Sequence, residues 1–79
     1  MSATTTDKTA AVERLSAHIA AASASTAATV AALLAYGEHA AGRDVIGMRH
    51  DLQRAATTAM DAARRLIAAS EALAVLGHD

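Results

Sequence analysis

The side chains best suited to chemistry gather around one stretch of this chain. His39 and His50 bracket residues 42–43, with Glu38 and Asp51 beside them. If the chain reverses there, two imidazoles and two carboxylates approach one another, a donor set that zinc accepts. Neither flanking segment carries a His-x-x-x-His or Glu-x-x-His pair, the spacings that place two ligands on one helical face. His50 also falls on the outward side of the pattern described below, and His18 and His78 are remote in sequence. The histidines therefore read as solvent-exposed, and no metal or other cofactor is expected.

Other catalytic constellations are equally thin. Glu38, Asp51 and Asp61 form no close carboxylate pair that spacing alone reveals. The serines and threonines have no base at an identifiable geometry, so no activated nucleophile is expected. Gly37, Gly42, Gly47 and Gly77 are scattered and make no phosphate-cradling loop. The spacing of Gly37 and Gly47 about the reversal suggests close packing or local bending there. Arg43, Arg49, Arg54, Arg64 and Arg65 interleave with Asp44, Asp51, Asp61 and Glu71. Nucleic-acid binding favours an unbroken basic stripe, with aromatics for single strands. Tyr36 is the sole aromatic residue, and the formal net charge is −1. An enzyme is not expected, and a nucleic-acid accessory role is the weakest of three functional readings.

The elements that must position these residues follow from composition. The chain has 79 residues, 24 of them alanine, and no cysteine, proline, phenylalanine or tryptophan. Alanine is the strongest helix former but buries little surface. A domain this small is marginal without a disulfide, a metal or a partner. Arginine outnumbers lysine six to one, a codon bias consistent with a GC-rich bacterial or phage genome. Residues 1–11 contain one lysine and no apolar core, so no signal peptide is expected and the chain is placed in the cytoplasm.

Residues 1–6 are small and polar and read as a flexible tail; residues 7–79 read as one domain. Thr6 or Asp7 is a suitable helix N-cap, Gly42 offers a left-handed C-terminal residue, Asp44 caps a second helix, and Gly77 stops it. The fold class is therefore all-α: an antiparallel hairpin with helices over about 7–41 and 44–76. Ser23, Ser25 and Thr26 could break the first helix, but without Gly or Pro beside them continuity is expected.

The period supports two helices. Val45, Met48, Leu52, Ala55, Ala59, Ala62, Leu66, Ala69, Leu73 and Leu76 alternate at three and four, as in a coiled coil. Val12, Leu15, Ile19, Ala22, Thr26, Thr29, Leu33, Tyr36 and Ala40 do the same. Folding the chain at residues 42–43 sets Val12 against Leu73, Ile19 against Leu66, Thr26 against Ala59 and Leu33 against Leu52.

One such contact leaves apolar surface over. Ile46, Met60 and Ile67 form a second stripe on the later helix, opposite a face carrying His50, Arg54, Asp61, Arg64 and Glu71. Residues 15–37 contain no Asp, Glu, Lys or Arg, and a helix apolar all round is normally buried or in a membrane. Assembly into a four-helix bundle or larger oligomer is therefore expected. The interaction residues would be Ile46, Met60, Ile67, Val30 and Leu34, and the partner a second copy or another helical protein. The second reading is a small membrane protein with helix 1 inserted over residues 15–37, long enough to span. Ser16, His18, Ser23, Ser25, Thr26 and Thr29 oppose that insertion.

Overall fold

The computed structural model describes residues 5–77, with side chains from residue 7. Residues 1–4 of the expected tail, and His78, lie outside the described residues. The described residues form two packed α-helices, α1 (Thr5–Ala41) and α2 (Val45–Leu76), without strands. The chain is an all-α helical hairpin. Helix α1 begins at Thr5, so Asp7 sits in its first turn rather than capping it, where its charge still suits the N-terminal dipole. It runs unbroken through residues 23–26. The hydroxyls of Thr26 and Thr29 bond back to the carbonyls of Ala22 and Ser25, 2.8 and 3.0 Å away, and so stay within the helix.

The reversal is tighter than the glycine suggested. Gly42 does not take the left-handed conformation; Arg43 does, at φ 58°. The Asp44 N–H donates to the His39 carbonyl at 2.9 Å and the Arg43 N–H to the Ala40 carbonyl at 3.1 Å. This pattern is a Schellman closure with Gly42 as the last half-helical residue and Arg43 one place beyond it. Asp44 then starts α2, as expected: its Oδ1 accepts from the Gly47 N–H at 3.0 Å. One residue thus closes α1 with its backbone and caps α2 with its side chain. At the far end Gly77 donates to the Leu73 carbonyl at 2.9 Å in right-handed geometry, so it ends α2 without needing a positive φ.

The contact between the helices corrects half of the expected seam. Leu15, Ala22, Thr29 and Tyr36, and likewise Met48, Ala55, Ala62, Ala69 and Leu76, are buried or half-buried. Most of the alternate positions are one residue earlier than expected; Val45 and Leu66 are exposed without Asp44 or Arg65 turning inward in their place. Ala11, His18, Ser25, Ala32 and His39 turn inward, not Val12, Ile19, Thr26 and Leu33, while Ala40 beside the turn is half-buried as expected. On α2, Asp51, Thr58 and Ala72 turn inward, not Leu52, Ala59 and Leu73. The physical reason is proximity. The Cα envelope is 63 × 13 × 12 Å. Allowing about 4.6 Å for one Cα cylinder leaves roughly 8 Å between the axes, the close limit of helix packing. Leucine and isoleucine do not fit between axes so close, whereas alanine does. The buried apolar residues are Ala11, Ala22, Ala32, Ala55, Ala62 and Ala69, and no large side chain is fully buried.

The register itself agrees with the expected fold point. Ser25 Oγ donates to Asp61 Oδ2 at 2.5 Å, and the Thr29 and Thr58 hydroxyls are 2.7 Å apart. Ile19 and Leu66 come together as expected, but they line a groove beside the seam rather than filling it.

Candidate interaction surface

Displacing the large side chains from the seam gives the hairpin two unlike faces. Residues one position beyond the seam project to the same side from both helices, because antiparallel helices mirror their angular sense. That side carries Val12, Ile19 and Leu33 from α1, and Leu52, Leu66 and Leu73 from α2. All six are between 45 and 58% exposed. Two grooves lie along it. One, of about 390 Å³, is lined by Ile19, Ala22, Ser23, Thr26, Ala27 and Leu66. The other, of about 580 Å³, lies near the turn and is lined by Tyr36, Val45, Met48, Leu52, Ala56, Gln53 and Arg49. Arg49 is the charge beside the groove near the turn, and at the far end Lys8 and Glu13 flank Val12 in a smaller groove of about 300 Å³. Arg14, Glu38, Arg54, Asp61, Arg64 and Glu71 fall on the opposite side.

The interaction residues expected from sequence are all exposed: Ile46 at 84%, with Leu34, Ile67, Met60 and Val30 above one half. The fold does not gather them into one patch. Ile46, Met60 and Ile67 run down the back of α2, away from α1, and Leu34 lies on the back of α1. Val30 borders the apolar face. Sequence reasoning missed Val12, Ile19, Leu33, Leu52, Leu66 and Leu73 as surface residues because it placed them in the seam.

The polar residues are assembled by the seam. Asp61 sits on its charged edge, hydrogen-bonded by Ser25, with Arg64 Nη2 at 3.9 Å and Arg65 Nε at 3.8 Å. The Ser25 hydroxyl, aided by the two guanidinium groups, holds the Asp61 carboxyl below its ordinary pKa. At the turn, His39 Nδ1 meets Oδ2 of Asp51, a carboxylate that is 2% exposed. Its Nε2 is 3.9 Å from Asp44 Oδ2. The hydrogen bond to Asp51, followed by the charges of Asp51, Asp44 and Glu38, raises the His39 pKa against an opposing desolvation.

Gly47 makes room for this ring. A methyl there would lie 2.6 Å from Asp44 Oδ2 and 2.7 Å from His39 Cγ and Cδ2. Gly37 has open space around it, so of the two glycines flanking the turn only Gly47 permits close packing. His50 points outward, as the seam implied, with Nδ1 3.9 Å from Asp51 Oδ1. Among the described residues no group of three or more His, Cys, Asp and Glu side chains is arranged to hold a metal. Compared with known protein families, curated proteins and solved structures, the chain matches none.

Proposed function

We propose that the chain is a non-enzymatic helical assembly module of the cytoplasm, whose apolar face covers a second copy of itself to make a four-helix bundle. The observation that carries this reading is an interior of alanine beneath thirteen large apolar side chains that remain at least 45% exposed. The accessible surface is 5676 Å², roughly a quarter more than the ~4,450 Å² of a compact globular protein of this mass. A face 63 Å long and two helices wide, about 20 Å, offers on the order of 1,200 Å². A standard interface needs about 800 Å² from each partner. The scarcity of charge along the middle of this face suits burial against itself, since an isologous contact sets the same patch of both copies face to face.

Light scattering at micromolar concentration tests the reading. The wild-type chain is expected at twice the monomer mass or more, and Leu66→Asp at monomer mass with its helicity retained. A wild-type monomer that is stable alone would overturn it. Met60→Asp separates the two surfaces: it leaves a dimer built on the Leu66 face intact and dissociates one built on the back of α2.

A membrane reading has one observation in its favour, since α1 over Asp7–Ala41 is long and apolar enough to cross a bilayer. Insertion of α1 would either break the Ser25–Asp61 and Thr29–Thr58 bonds or carry Asp61 and its arginines toward lipid, at a cost of several kcal/mol. Recovery of the expressed protein wholly in the detergent-free soluble fraction rejects it.

A further inference from the structure

The turn end of the hairpin holds a group of residues that assembly does not require. Asp51 is all but sealed between the helices, and a buried carboxylate is costly unless paired. Its partner from α1 is His39, whose ring is 42% exposed at the side chain and so remains in exchange with solvent protons. Gly47 provides the space the ring occupies, and Asp44, the residue that joins the two helix ends, lies on the ring's other nitrogen. We propose that His39, Asp51 and Gly47 form a proton-operated latch. It closes the turn end of the hairpin when the imidazole is charged and loosens it when the imidazole is neutral.

The carboxylates acting on the ring are Glu38 on its own helix, Asp44 at the cap and Asp51 on α2. His50 bears on Asp51 from the next position of α2. The charged imidazole donates from Nδ1 to Asp51 in a charge-assisted bond, stronger than its neutral counterpart. Loss of the Nε2 proton leaves the Nδ1–H bond in place but removes the cation that compensates the buried carboxylate. The folded pKa of His39 is raised, so the stabilisation is fully present below about pH 6.5, the unfolded value. It is lost as pH rises through the higher folded value. The latch is local. Ser25–Asp61 and Thr29–Thr58 hold the middle of the hairpin through groups that do not titrate in this window.

Hydrogen-exchange protection factors, corrected for the intrinsic pH dependence of exchange, test this in the full-length chain between pH 5.5 and 8.5. Protection across residues 36–41 and 45–52 is expected to fall as pH rises, while residues 22–32 and 55–69 stay level. In His39→Gln the fall is expected to disappear. Asp51→Asn is expected to remove it as well, and Gly47→Ala to weaken protection already at low pH. A wild-type profile flat in pH, or one that falls uniformly along both helices, overturns the latch. So does a His39→Gln chain that keeps the wild-type dependence.

Discussion

At the scale of single residues, the two glycines flanking the turn look alike in sequence and behave oppositely in the fold. Gly37 sits inside α1 with nothing within 4 Å of a prospective methyl, so Gly37→Ala is expected to raise stability by about 0.5–1 kcal/mol through helix propensity. Gly47 has the same propensity deficit, but its methyl would meet the His39 ring and Asp44. Gly47→Ala is therefore expected to lower stability by about 1–2 kcal/mol, the overpacking cost exceeding the propensity gain. Parallel urea melts of the two variants check the opposite signs. Gly42 shows the same dependence on context. An added methyl there meets only ordinary contacts, whereas Arg43 carries the left-handed strain, in general about 1–2 kcal/mol for a non-glycine residue.

At the scale of the helices, the seam is a choice between two frames that share every second position. Leu15, Ala22, Thr29 and Tyr36 belong to both, which is why half of the contact, the two helices, the turn and the register were legible before the structure. The other half was not, because apolar periodicity rewards size and prefers Ile19 and Leu33 to His18 and Ala32. Close approach of the axes reverses that preference. The signal that could have found the true frame is polar. Ser25, Thr29, Thr58, His39 and Asp51 each gain a partner across the seam in it, whereas in the other frame Ser25, His39 and Asp51 would lie outside the contact. The apolar face was illegible for the same reason, since its residues had been assigned to the interior. The consequence is measurable. Ala32→Leu, at a position 0% exposed, is expected to force the helices apart and cost about 1–3 kcal/mol. The neighbouring Leu33→Ala is expected to leave the hairpin itself within about 1 kcal/mol of wild type and to weaken self-association instead. Thermal melts at low and high protein concentration separate the two effects.

At the scale of the whole molecule, the chain is a rod with a radius of gyration of 17.9 Å, against about 12 Å for a compact domain of its length. A rod two helices thick has little interior, so its stability is expected to depend on what covers the apolar face. The melting temperature should therefore climb with protein concentration, as mass action requires of a folded state stabilised by association. Leu66→Asp should abolish the climb, and calorimetry across a hundredfold range of concentration reads both. The way the turn joins the helices also bears on how such a rod comes together. The cross-helix bonds join residues 12, 29 and 36 apart in sequence, each nearer the open end than the last. Closing the first loop is entropically the least costly step, and each later closure adds only a small increment to a loop already shut. Asp44 holds both helix ends at the start of this series, so the hairpin is built to zip from the turn outward and, while His39 is charged, to fray in the reverse order.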